Sequence, residues 1–251
     1  CIRDSFSDTD KNISLLDVSE TFGTYDGSFV LYDNNLDSWK IYDLEEATKR
    51  IPPESTYKIY DALLGLESGI ITPEHSSMTW NGDAFPFPSW EADQDLNSAM
   101  QNSVNWYFQA IDSQLGINRV QEFLNKIEYG NQTTSSNLDL YWSDFSLKIS
   151  PLEQVTLLKK FNTNEFHLNF QNVFSVKNAI KIASTPNGNF YGKTGTGRVN
   201  GQDINGWFIG YVETSDNSYY FATNIQSDSN ATGKKAFEIT SDILKKLHIW
   251  N

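Results

Sequence analysis

The stretch Trp207-Phe208-Ile209-Gly210-Tyr211-Val212-Glu213-Thr214-Ser215-Asp216-Asn217-Ser218-Tyr219-Tyr220-Phe221-Ala222-Thr223-Asn224 decides the fold. Two runs of aromatic and β-branched residues flank Ser215-Asp216-Asn217-Ser218, which reads as the turn of a hairpin. Phe190-Tyr191-Gly192 leads into it as a further strand. Far upstream, residues 27–33 have the same character. Asn34, Asn35 and Asp37 separate them from the alternating Trp39-Lys40-Ile41-Tyr42, a second hairpin, and Pro52-Pro53 then breaks the chain. The interval between these strands is helical. Residues 57–68 carry Tyr60, Leu63, Leu64 and Leu66 and stop at Gly69. Residues 95–115 place Leu96, Met100, Val104, Tyr107 and Ile111 at steps of three and four, which predicts one continuous helix. Residues 117–128 repeat the pattern with Val120, Phe123, Leu124 and Ile127 and end at Gly130. Ser150-Pro151-Leu152-Glu153 is a capping box with proline at the first helical position, opening a helix to about Phe161. A weaker pattern predicts a helix over 172–184, and a final helix covers about 232–247. Strands at both ends with helices between imply an α+β fold: an antiparallel β-sheet built from both termini, flanked by helices, with an inserted helical lobe at about 55–185. Residues 1–20 read as a tether and 21–251 as a single domain.

The composition bounds the function. The chain has 251 residues, enough for a large core. Lys and Arg number 19 against 32 Asp and Glu, a net charge of −13. That balance excludes nucleic acid as the main partner, because phosphate binding needs clustered Lys and Arg, and it disfavours anionic lipid. A charged fraction of 20% with 14% aromatics argues against disorder. No apolar run reaches the roughly 18 residues of a membrane helix, and no signal peptide is visible. The single cysteine, Cys1, allows no internal disulfide. His75, His167 and His248 show no ligand spacing, so no metal is expected. Cys1 leaves two readings open: an accidental boundary, or the acylated first residue of a processed lipoprotein.

Three short motifs carry the chemistry. In Ser55-Thr56-Tyr57-Lys58, a helix starting near Ser55 puts Lys58 one turn on, on the same face. A serine hydroxyl needs an adjacent base to become a nucleophile, and a lysine serves only if burial favours its neutral form. Ile59, Tyr60, Leu63 and Leu64 could supply that burial. The plain alternative is a helix cap followed by a surface lysine. Lys193-Thr194-Gly195-Thr196-Gly197 follows a strand and offers an ammonium, hydroxyls and backbone N–H groups; alone it could be a turn between strands. Ser103-Val104-Asn105, on the helix predicted over 95–115, could be no more than a polar helix face. Taken together and in this order, S-x-x-K, S-x-N and K-T-G form the set of the penicillin-recognising serine enzymes.

On these motifs, and on Tyr129-Gly130-Asn131, Tyr141-Trp142 and residues 27–33, 99–108, 146–150 and 206–212, the chain resembles the class D serine β-lactamases. It equally resembles their relatives, the extracellular penicillin-sensor domains of membrane-bound antibiotic receptors. The resemblance covers nearly the whole chain. It implies that Ser55 is the nucleophile acylated by the β-lactam and Lys58 the general base, often carboxylated by CO2 or bicarbonate, with no other cofactor. It implies that Ser103 passes a proton to the leaving nitrogen, and that Lys193 and Thr194 orient the substrate carboxylate. The backbone N–H groups of Ser55 and Thr196 would form the oxyanion hole, with Gly195 between the two threonines of the substrate-binding strand. Trp142 would hold the carbamate with its indole N–H, a donor only, though core packing is the commoner fate of a tryptophan. Gly130 could equally be a helix C-cap.

Two departures from the hydrolases matter. Position 105 is Asn where hydrolysing members usually carry Val, and an amide there can bond Lys58 and compete with the carbamate. Residues 224–235 contain no arginine to bind the substrate carboxylate, only Lys234 and Lys235, with Arg198 elsewhere. The expectation is a class D-like β-lactamase hydrolysing penicillins. The alternative is a receptor's sensor domain that is acylated and deacylates very slowly. A peptidoglycan transpeptidase or carboxypeptidase fits Trp142 less well. A wall-binding module would use the seven Trp and twelve Tyr, but these lie in apolar runs suited to a core and leave Lys58 without a role. The expected partners are β-lactam antibiotics. The expected place is the extracytoplasmic face of a bacterium, with membrane attachment only through a lipid on Cys1 or a receptor's membrane helix.

Overall fold

The computed structural model describes residues 12–250. Cys1, and with it the lipoprotein reading, lies outside them. The described chain divides into two compact units: one holds residues to 50, 150–158 and those from 183 onward, the other residues 51–149 and 159–182.

The first unit is built on a sheet of β1 (Ile13–Leu15), β2 (Asp26–Asp33), β3 (Ser38–Tyr42), β4 (Lys181–Thr185), β5 (Gly188–Val199), β6 (Gln202–Glu213) and β7 (Ser218–Gln226). Their order across the sheet is β1-β3-β2-β7-β6-β5-β4. The hairpin expected at 207–224 is β6–β7, with Ile209 opposite Ala222 and Tyr211 opposite Tyr220. Its second strand pairs antiparallel with β2, Phe29 opposite Thr223, so the two ends of the chain close into one sheet as the sequence predicts. Helix α9 (Gly233–Lys246) covers one face. Its Ala236, Ile239 and Ile243 recur at steps of three and four and, with Leu244, join Phe29, Leu31, Phe208 and Phe221 in the core. Each of the Ile, Leu and Phe side chains removed from water contributes about 1.5–3 kcal/mol. Two short helices, α1 (Ser19–Phe22) and α2 (Leu44–Thr48), belong to the same unit.

The second unit is helical: α3 (Lys58–Glu67), α4 (Leu96–Gln101), α5 (Asn105–Leu115), α6 (Ile117–Ile127) and α8 (Phe170–Ala179). Helix α7 (Pro151–Asn162) runs from the first unit into it. Helix α3 is buried on every side from Lys58 to Leu66, which makes it the central element of its unit. A Cβ on Gly65 would stand 2.9 Å from the Ile111 side chain, so α3 and α5 approach more closely there than a larger residue allows. Among the described residues no helix is long and apolar enough to cross a membrane.

The structure corrects three expectations. The helix predicted over 95–115 is two helices, broken at 102–104. The Ser103 N–H bonds Met100 O at 3.3 Å and the Val104 N–H bonds Ala99 O at 2.9 Å, while Ser103 takes a φ of 54°. This is a Schellman-type stop with serine in the left-handed position. Val104 is fully buried, so the apolar period runs on through the break and hides it. The helix predicted over 172–184 ends at Ala179, and Lys181–Thr185 is strand. The 1–20 tether is too long: Ile13–Leu15 pairs in parallel with β3, and Ser19–Phe22 is helical. The K-T-G motif lies in the interior of β5, as its reading on a strand predicts, and not in the turn that was its plain alternative, with Lys193 opposite Ile209.

Candidate active site

Within the helical unit, the chain enters α3 through a 3-10 turn, Glu54–Tyr57. Pro53 anchors it: its carbonyl accepts from the Thr56 N–H at 3.2 Å and from Thr56 Oγ1 at 2.6 Å. Glu54 holds a φ of 52°, a left-handed conformation that costs about 1 kcal/mol or more for a residue with a side chain. The Glu54 N–H meets Trp142 O at 3.0 Å. The strained residue directly before Ser55 is therefore tied to the segment that carries Trp142. A second tie steadies that segment. Gly130, at a φ of 50°, lies so close to the Lys148 carbonyl that a Cβ would fall 2.0 Å from it. Asn131 bonds Ser146 O and the Lys148 N–H with its amide. The glycine of Tyr129-Gly130-Asn131 thus follows α6 and also permits a close backbone crossing.

Lys58 opens α3 and is fully buried. Its Nζ donates to Ser55 Oγ at 2.7 Å and to Asn105 Oδ1 at 2.7 Å. It lies 4.4 Å from the Trp142 ring centroid and 5.6 Å from that of Phe108. Ser55, Lys58, Asn105 and Trp142 are therefore one cluster, with the nucleophile–base contact that serine activation needs. Asn105 reaches Lys58 because the break at Ser103 starts α5 at that residue. Ser103 stands at the break, two residues before it. Trp142 is buried, and its Nε1 has no hydrogen-bond partner. An unpaired buried donor is costly, so it suits an anion, and the Asp112 carboxyl is one already under its influence.

Two groups in this unit escaped the sequence reading. Asp61 lies one turn beyond Lys58 on α3, and Asp112 lies on α5; both are fully buried. Burial, then the neighbouring Asp112 charge, pushes the Asp61 carboxyl well above the usual carboxylate range, against the pull of Lys58. Burial pushes Asp112 up to about 7, opposed by the Tyr141 hydroxyl and Trp142. The signal was present in the sequence: Asp61 is a charged residue in the otherwise apolar window after Lys58, three residues on.

Within the sheet unit, Lys193, Thr194, Gly195 and Thr196 are consecutive on β5. Lys193 is 5% exposed, and its Nζ donates to Thr194 O at 3.0 Å. Burial brings its ammonium down to about 7. Thr196 is exposed, and its Oγ1 accepts from the Gly233 N–H at 2.8 Å, the first residue of α9. Arg198 is engaged with Asp203 at 2.7 Å, and Lys235 pairs with Glu238.

Comparison with known proteins identifies the family. Residues 27–245 match the family described as "Penicillin binding protein transpeptidase domain". The chain is 46% identical over 241 residues to the regulatory protein BlaR1 of Bacillus licheniformis, covering 95% of this chain. It spans 40% of the length of that relative. Among solved structures it matches the C-terminal domain of the Bacillus licheniformis BlaR penicillin-receptor with a TM-score of 0.93 and 45% identity, covering 96% of this chain and 99% of that one. It matches the class D β-lactamase BAT-2 with a TM-score of 0.88 and 37% identity, covering 94% and 97%.

Proposed function

The chain belongs to the penicillin binding protein transpeptidase domain family, and from that premise we propose that β-lactams acylate Ser55 and that the resulting ester is long-lived, as a receptor's sensor domain requires. The acylation half follows from the serine–lysine contact. Lys58 withdraws the Ser55 hydroxyl proton, Oγ bonds to the lactam carbonyl carbon, and the ring C–N bond breaks. The nitrogen takes a proton relayed by Ser103. Lys193, Thr194, Gly195 and Thr196 supply an ammonium, hydroxyls and N–H groups to the substrate carboxylate and carbonyl.

The observation that carries slow deacylation is the 2.7 Å bond from Lys58 Nζ to Asn105 Oδ1. Hydrolysis of the ester needs a second base to activate water. Carboxylation of Lys58 by CO2 would supply one, as the resemblance to the class D β-lactamases implies, and full burial of Lys58 beside Trp142 supports it. Asn105 competes for the same amine and draws it away from that form. A second reading, hydrolytic turnover, shares the first half-reaction and is favoured by the likeness to a class D β-lactamase over nearly the full length of both chains. As a sensor or as a secreted hydrolase the domain works outside the cytoplasm, where β-lactams arrive. A receptor's membrane helix or a lipid on Cys1 would attach it there.

Intact-mass spectrometry with benzylpenicillin tests both halves. One adduct is expected on the wild type and none on Ser55→Ala, with an adduct lifetime of hours. Asn105→Val is expected to shorten that lifetime about tenfold or more, the change that about 1.4 kcal/mol of barrier produces. An adduct that persists on Ser55→Ala refutes acylation at Ser55. A wild-type lifetime of seconds selects turnover.

A further inference from the structure

We propose that Asp61 and Asp112 form a carboxyl pair that shares one proton and thereby sets the charge of Lys58, making both of them positioning residues for the serine–lysine chemistry. The inference rests on the reading of Lys58 as the base, a role the side chain takes only as the neutral amine, after its ammonium has lost a proton. Neither oxygen of Asp61 has a hydrogen-bond donor, and neither does Asp112 Oδ2; Tyr141 Oη donates to Asp112 Oδ1 at 3.2 Å. Two buried carboxylates, with only the Tyr141 hydroxyl and the Trp142 indole favouring an ionised Asp112, cannot both stay ionised in an apolar interior. The Asp112 charge raises the cost of ionising Asp61, while a protonated Asp61 favours the ionised form of Asp112, so the pair titrates as a unit.

Among the described residues, the groups facing the pair include one cation to balance it, Lys58. Tyr57 and Tyr60, beside it on the turn and on α3, and Tyr141, from the segment after α6, are all held protonated by burial. Tyr107 on α5 is likewise pushed up by burial. Trp142 and Asn105 are neutral, and Asp139 adds a further negative influence on Asp112. The cation is Lys58, whose charge favours the ionised form of Asp61. Interaction free energies are reciprocal, so an ionised pair favours the ammonium form of Lys58. With one shared proton the pair carries −1 and the ammonium +1, and the cluster is neutral.

This balance bears on carboxylation. Forming the carbamate joins Lys58 Nζ to the carbon of CO2 and releases two protons from the ammonium. If the pair stayed ionised, the buried cluster would then hold two negative charges. The pair instead takes up one proton and passes the second to solvent, so one proton leaves per carbamate formed. Asp61 and Asp112 therefore restrain carboxylation at neutral pH, on top of the restraint from Asn105.

Infrared spectroscopy and NMR of the whole chain, without bicarbonate, test the pair directly. At neutral pH the wild type is expected to show the carbonyl stretch of a protonated carboxylic acid. Asp61→Asn and Asp112→Asn should each lose it, because a single carboxyl beside an ammonium ionises. Carbon-13 at Cε of Lys58 should titrate at least about one pH unit lower in the double variant, a tenfold change in its protonation constant. Absence of the wild-type band, a reading that needs no variant to fold, overturns the proposal; so does an unmoved Lys58 midpoint in a double variant with a cooperative thermal transition. Adding ¹³C-bicarbonate then separates the two ideas. No carbamate signal at any pH, with band and midpoint as expected, upholds the pair and refutes carboxylation of Lys58.

Discussion

At the scale of single residues, Lys193 couples burial to pH most directly. Its side chain is nearly excluded from water, and burial brings its ammonium down to about 7. In the role proposed for it, the side chain attracts the carboxylate of a penicillin below that value, where it is charged, and loses the attraction above it, where the amine is neutral. The second-order rate of acylation is therefore expected to fall as pH rises through about 7, approaching tenfold per unit on the alkaline side. Stopped-flow acylation against pH, for the wild type and Lys193→Met, checks this. The variant should be slower throughout and should lack the alkaline limb. A wild-type profile flat across pH 7, or a limb that survives in Lys193→Met, assigns the titration to another group. Chemistry at this scale was legible where it lay in contiguous motifs: Ser55 and Lys58, three residues apart, make the contact their spacing predicts. The contact from Asn105 to Lys58 crosses 47 residues and was foreseen only through the family resemblance. Asp61 and Asp112 were missed because neither belongs to a motif and their meeting depends on how α3 crosses α5.

At the scale of elements, strands and caps were easier to read than breaks. Hairpins with polar turns and the capping box at Ser150 announce themselves locally; Glu153 Oε2 accepts from the Ser150 N–H at 2.9 Å as that box requires. The stop after α4 does not announce itself, because Ser103 supplies the left-handed residue where glycine is usual and Val104 keeps the apolar period. The junction of α9 with β5 is another feature that spacing cannot reveal. A Cβ on Gly233 would lie 2.7 Å from Gly195 O and 2.8 Å from Thr194 Cβ, and the Gly233 N–H holds Thr196 Oγ1. Gly233→Ala sets two effects against each other. Helix propensity favours alanine by about 1 kcal/mol, while overpacking against a rigid strand costs about 1–3 kcal/mol. Backbone atoms of β5 cannot swing aside, so overpacking wins. We expect a net loss of roughly 1–2 kcal/mol in chemical denaturation, together with slower acylation as Thr194 and Thr196 are displaced. A variant as stable as the wild type and equally fast would show that the strand yields without consequence.

At the scale of the whole molecule, the sheet from both termini and the helical lobe were readable because each hydrophobic period matched its element, while the charge balance described the surface alone. A net charge of −13 confronts an anionic ligand, and the cations assigned to the chemistry, Lys58 and Lys193, are buried. Distance decides how the two act. Repulsion from surface carboxylates works over tens of ångströms and is screened once the Debye length falls to about 8–10 Å near physiological salt. The attraction of a buried lysine works at contact, where mobile ions do not enter, and is nearly independent of salt. Adding salt should therefore remove the unfavourable part and leave the favourable part. The second-order acylation rate with benzylpenicillin is expected to rise by about twofold between roughly 10 and 200 mM sodium chloride. A zwitterionic penicillin such as ampicillin, with no net charge, should show a smaller change. A rate that falls with salt for the anionic drug would mean that the field of the site, and not that of the surface, governs the approach.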